Sequence, residues 1–129
     1  MKQIIKTVGQ IMEDLRVFTN WNFAGGMKGD TCIINAPLVN EQGKKVDVTL
    51  EFYKTDVLIK VTAWNDCFDR EKVEQTVGRL EISVETELNE ASFIISHHEP
   101  LGVLEHSVKG VLKQCIIPMV DVAAELVAE

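Results

Sequence analysis

The spacing of apolar and polar residues changes period twice along this chain. Over residues 2–19, Ile4, Ile5, Val8, Ile11, Met12 and Leu15 recur every three or four positions. At about 100° per residue they share one face, which predicts an amphipathic helix. The stretch NWNFAGGMKGD at 20–30, with three glycines and two asparagines, reads as a loop that follows it. From Thr31 the period falls to two. In TCIINAPLV (31–39), Cys32, Ile34, Ala36 and Leu38 share one side. Pro37 has no N–H for a ladder, so this strand is predicted to lie at an edge or to stop there. NEQGKK (40–45) is a polar turn. In VDVTLEFY (46–53), Val46, Val48, Leu50 and Phe52 face one way and Asp47, Thr49, Glu51 and Tyr53 the other. VLIKVTAW (57–64) repeats the alternation with Val57, Ile59, Val61 and Ala63 inward. Such alternation predicts antiparallel strands with one wet face.

Residues 65–78 predict a short helix that Asp66 or Asp69 can cap, with Val73 and Val77 inward and Gly78 at its end. RLEISVETEL (79–88) fits either a helix or a strand. The strand is preferred because a helix would place Ile82 in water and Gly78 mid-helix, and because Ile, Val and Thr favour strands. ASFIISHH (91–98) is a fifth strand, and Pro100 suits a helix start. Beyond it the period returns to 3.6. Leu101, Leu104, Val108, Val111, Leu112, Cys115, Met119, Val122 and Leu126 form one stripe, with a kink predicted near Gln114–Pro118. The predicted fold is α+β: one domain over 1–129, in the order α-β-β-β-α-β-β-α. Its five-stranded antiparallel sheet carries the N- and C-terminal helices on one face.

Charge narrows the choice of partners. The 129 residues carry a formal net charge of −7. With no basic cluster, the chain is expected to bind neither nucleic acid nor an anionic membrane surface. No run of about 18 apolar residues is present to span a bilayer. The N-terminus lacks the uninterrupted apolar stretch of a signal peptide. Cys32, Cys67 and Cys115 are odd in number and widely spaced, with no CxxC. They read as reduced thiols of a cytoplasmic protein rather than a disulfide framework or zinc knuckle.

Catalytic templates fit poorly. GGMKGD follows a helix instead of preceding one, the wrong context for a phosphate cradle. Asp66 and Asp69 flank Cys67 and oppose thiolate formation. Ser107 and His106 are adjacent on a predicted helix and point about 100° apart. In SFIISHHEPLG, His97 and His98 would face opposite sides of a strand and so cannot share a metal. His97 and Glu99 have the better i, i+2 spacing, but no Cys is placed by sequence to join them. Neither catalytic, cofactor nor metal residues are therefore assigned, and a non-enzyme is expected. Glu81, Glu85 and Glu87, with Asp47 and Glu51, form an acidic outer row. It is read as a solvated sheet face, with a docking face for a basic segment as the functional alternative. Trp21 and Trp64 read as anchors at the core edge; Trp64 would alternatively be an exposed contact.

The last helix has a second apolar stripe. Ile116, Val120, Ala123 and Val127 lie about 90° from the first, and Ile117 lies further round. Either the first helix covers this stripe or it is a seam for a dimer or partner. With Trp64, these residues are the candidate interface.

The order of elements, the hairpin VDVTLEFYKTDVLIKVTAW and the segment VGRLEISVETELNEASFIISHHEPL resemble class I type III secretion chaperones and YbjN-type proteins. The resemblance implies a non-catalytic, chaperone-like homodimer that holds an extended client segment. The expected function is accordingly a protein-binding module or small regulatory adaptor. The alternative is a small-ligand binder with a pocket between the sheet and the kinked C-terminal helix; a third reading, ranked behind it, is a metal or thiol enzyme using Cys67, Cys115 and the histidines.

Overall fold

A computed structural model describes residues 2–39, 43 and 45–127. Helix α1 (Lys2–Thr19) is the predicted one. Val8, Ile11 and Leu15 are buried along it; the side chains of Ile4 and Ile5 lie outside the described residues. The helix ends where Asn20 takes a left-handed φ of 64° while its N–H still reaches the Arg16 carbonyl at 2.8 Å. Asparagine tolerates that conformation better than most residues.

The sheet has six described strands, where five were predicted. The additional one is β1 (Ala24–Lys28), in the stretch read as a loop. It forms a hairpin with β2 (Thr31–Val39) across Gly29, whose φ is 64°. All five β1 residues are exposed, so no alternation announces it. β2 is therefore interior along Thr31–Asn35, and Pro37 falls beyond the last β1–β2 pair, where β2 itself becomes the edge. The predicted 40–45 turn lies mostly outside the described residues.

β3 (Lys45–Phe52) and β4 (Asp56–Trp64) follow the predicted hairpin. Helix α2 (Arg70–Val77) is capped by Asp69, whose carboxylate accepts from the Glu71 N–H at 3.0 Å. Residues 79–84 pair with no strand; only Glu85–Leu88 form β5. Leu80, Ile82 and Val84 nevertheless pack against the core, which is why their alternation resembles a strand. β6 (Ser92–Pro100) runs through Pro100 instead of ending at His98. The sheet order is β1-β2-β3-β4-β6-β5, antiparallel throughout.

The single predicted C-terminal helix is broken. Helices α3 (Leu101–His106) and α4 (Val108–Val111) meet at Ser107, whose φ of −149° is extended. Its hydroxyl accepts from the Gly110 N–H at 3.0 Å and so caps α4. A π turn then spans Leu112–Ile116, and α5 (Ile117–Val127) completes the chain. The π turn falls where the proline kink was predicted. It is closed by the Ile117 N–H on the Leu112 carbonyl, five residues back.

The inner sheet face forms cross-strand rows. Ala36, Val48, Val61 and Ile95 make one; Leu38, Val46, Ala63 and Phe93 another. α5 lies over β3, β4 and β6, while α1 packs on α4 and α2 on α5. The helices and the inner rows share one core cluster. Each buried Leu, Ile, Val or Phe in such a cluster contributes about 1.5–3 kcal/mol.

The β1 hairpin can be tested through its glycines. A Cβ on Gly25 would lie 2.0 Å from the Ile33 carbonyl oxygen, whereas one on Gly26 would meet open space. Gly25→Ala is expected to lower stability by about 1–3 kcal/mol in urea unfolding. Gly26→Ala should change it by no more than about 0.5 kcal/mol. Equal effects would contradict this hairpin.

Candidate functional site

The inner rows are apolar except at one corner. Ile34, Leu50 and Ile59 continue into His97, and Cys32, Phe52 and Val57 into Glu99. Two residues apart on β6, His97 and Glu99 therefore project from the same face. The β5–β6 pairing ends at Glu85 and Ser96, leaving this corner flanked by the unpaired 79–84 segment. Its Ser83 carbonyl oxygen lies 2.7 Å from His97 Nδ1. A carbonyl can only accept, so Nδ1 carries the hydrogen and Nε2 faces the interior. Nε2 lies 2.7 Å from Glu99 Oε2.

The π turn supplies the third member. Cys115 Sγ is 3.7 Å from His97 Nε2 and 3.7 Å from Glu99 Oε2. The His97 and Glu99 side chains are only 11% and 17% exposed, and Cys115 is 5% exposed. Burial, then the negative Glu99 and the hydrogen bond to it, push the Cys115 thiol up to about 11. It is a protonated hydrogen-bond donor at neutral pH, not a ready nucleophile. Among the described residues no buried side-chain nitrogen or oxygen lacks a partner. The corner is thus a closed hydrogen-bonded set.

Beside it runs a cleft of about 500 Å³, lined by Arg79, Leu80, Glu81, Ile82, Lys113, Gln114 and Pro118. Its walls are the two segments that carry Ser83 and Cys115. Arg79 at its rim pairs with Glu125 at 2.7 Å.

Among the described residues no helix covers the outer sheet face. Asp47, Glu51, Leu58, Lys60, Ile94, Glu85 and Glu87 project there by strand parity. Leu58, Lys60, Glu85, Glu87, Ile94 and Ser96 help line a shallow hollow of about 370 Å³. Burial tends to raise the Glu51 carboxyl, but hydrogen bonds from Lys60 and Tyr53 and the charge of Lys60 outweigh it, so it titrates below the ordinary range. Burial raises Asp47, against the pull of Lys45. His98, also on this face, pairs with Asp56 at 3.0 Å.

The predicted interface residues separate. Ile116, Ala123 and Val127 are fully buried in the chain's own core and offer no surface to a partner. Val120 is half-buried, and Ile117 is 37% exposed on the last helix. Trp64 is 38% exposed at the end of β4, on the outer face and far from an internal anchor. Ser107 is a helix cap, and exposed Cys67 lies apart from the His97 corner. What the sequence did not reveal is that Cys115, and not Cys67, meets His97 and Glu99. Cys115 belonged to the inward stripe of the last helix, and His97 and Glu99 to an inward row. The two polar interruptions had to meet something on the helix side.

Compared with protein-family models, with curated proteins and with solved structures, the chain gives no match. Among the described residues no helix is long and apolar enough to cross a membrane.

Thiol chemistry separates the three cysteines. Alkylation near pH 7.5 is expected to modify exposed Cys67 first, leaving Cys32 and Cys115 largely intact by peptide mapping. Raising the pH toward 11 should accelerate Cys115, because only the thiolate reacts. A Cys115 that reacts as fast as Cys67 at neutral pH would contradict this environment.

Proposed function

We propose that the protein is a non-catalytic, chaperone-like binding module that takes an extended basic segment of a protein partner on the bare outer face of its sheet. One observation carries the reading. The hollow on that face is lined by Leu58 on β4, Ile94 on β6 and the carboxylates of Glu85 and Glu87 on the edge strand β5, while Lys60 beside them is held by Glu51 at 2.8 Å. Apolar side chains beside two carboxylates suit lysine or arginine, whose aliphatic stems bury while their charges pair. The net charge of −7 favours encounter with such a segment. Trp64, exposed along the same face, provides an aromatic contact. The resemblance to class I type III secretion chaperones and YbjN-type proteins points the same way. A non-enzymatic role is supported by the protonated Cys115 thiol and by the capping role of Ser107.

A second reading, a small-ligand binder, is favoured by the cleft beside the π turn, between residues 79–82 and Lys113–Pro118. Native mass spectrometry of protein purified under mild conditions separates the two, since a retained small molecule belongs to the cleft.

The leading reading is tested by titrating an isotope-labelled chain with an extended peptide that alternates arginine and leucine. Amide shifts should cluster on β4, β5 and β6. Glu85→Lys with Glu87→Lys should weaken binding about tenfold or more, because like charges then oppose. Added salt should weaken it too. Unchanged binding in the double variant, or shifts confined to the helices, would refute this face. Light scattering on the same samples reports a second copy of the chain as the alternative occupant.

A further inference from the structure

We propose that His97, Glu99 and Cys115 form a mononuclear site for a divalent transition metal, with Zn²⁺ the best fit, bound through Nε2, a carboxylate oxygen and Sγ. The inference stands apart from the protein-binding reading: it concerns the opposite face of the sheet.

Distances carry it first. Among the described residues, these three are a group whose donor atoms all lie within 4.8 Å of one another. Their separations are 2.7, 3.7 and 3.7 Å. A point about 0.8 Å out of their plane satisfies ordinary zinc bonds to all three at once, about 2.05 Å to nitrogen and oxygen and about 2.3 Å to sulfur. The bite between His97 and Glu99 is narrow there, roughly 80°, and opens toward tetrahedral once the hydrogen bond between them is replaced. The ion's out-of-plane position leaves one coordination site for water or an exogenous donor, the arrangement of open rather than structural zinc centres.

Orientation carries it second. The Ser83 carbonyl holds the Nδ1 hydrogen and turns Nε2 toward Glu99 and Cys115, where Nε2 shares a proton with the Glu99 carboxylate and offers a lone pair once that proton leaves. Metal-binding histidines are held in this way by a backbone carbonyl or a carboxylate on their other nitrogen. The supports are rigid: two ligands sit on a paired strand and the third in the π turn, a feature often found at functional sites. Donor chemistry selects the metal. A thiolate and an imidazole favour zinc, cobalt or nickel over magnesium and calcium. Loading releases to solvent the Cys115 thiol proton and the proton shared between His97 and Glu99, and the ion's charge balances the thiolate and carboxylate.

The test uses the full chain, stripped with chelator and titrated with Co²⁺. One equivalent should bind, giving a thiolate-to-cobalt charge-transfer band and the visible bands of four-coordinate cobalt, and Zn²⁺ should displace it. Zn²⁺, but not Mg²⁺, should raise the thermal unfolding midpoint. Cys115→Ser should abolish the charge-transfer band, and Glu99→Gln should weaken binding at least tenfold. Cys67→Ser should leave both unchanged. Circular dichroism checks that each variant folds; should Cys115→Ser not fold, the Glu99→Gln and Cys67→Ser pair still decides. Absence of a stoichiometric band, or a band lost in Cys67→Ser and kept in Glu99→Gln, would overturn the proposal.

Discussion

The packing of the C-terminal helices across the inner rows of the sheet is the contact on which the rest depends. The outer face is mostly polar and, among the described residues, bears no helix, so the hydrophobic driving force is concentrated on the other side. Those inner rows are continuous from β2 through β4. On β6 they change character, from Phe93 and Ile95 to His97 and Glu99. The helix that covers the rows must therefore also satisfy a polar corner. Buried polar groups without partners are costly. Cys115, the Ser83 carbonyl and the two β6 side chains satisfy one another.

The π turn makes one helix serve both parts of that surface. A turn closed by bonds five residues apart advances each residue by less than the α-helical 100°. Residues beyond it are rotated back relative to a straight helix. Met119, Val122 and Leu126 continue the first stripe, and Ala123 and Val127 join them in the core. Both stripes are largely buried because α5 lies on β3, β4 and β6 and also takes α2 against it. Pro118, which has no N–H to donate to the Gln114 carbonyl, lies immediately beyond this turn, where an ordinary α-helical bond is already missing.

Periodicity made much of this legible. The alternation in 46–53 and 57–64 translates directly into paired strands, and Asp69 caps the helix it was placed before. The inward direction of His97 follows from strand parity alone. What stayed hidden has physical reasons. β1 buries no side chain, so its residues carry no period. Leu80, Ile82 and Val84 pack inward from a segment without a ladder, and burial imitates a strand. The break at Ser107 depends on a single side-chain cap, which leaves the helical spacing of neighbouring leucines and valines intact. A π turn has no signature in spacing, and whether the second stripe was covered or free stayed open. The meeting of Cys115 with Glu99, 16 residues earlier, depends on how strand and helix are laid together. No local pattern encodes that.

The most direct test of the account is a crystal structure grown with Zn²⁺ and measured at the zinc absorption edge. An anomalous peak is expected about 2.0–2.3 Å from His97 Nε2, a Glu99 oxygen and Cys115 Sγ, with Cys115 in a π turn and the Ser83 carbonyl still accepting from Nδ1. A straight α-helix through residue 115, or a corner without a peak and with its hydrogen bonds undisturbed, would contradict it.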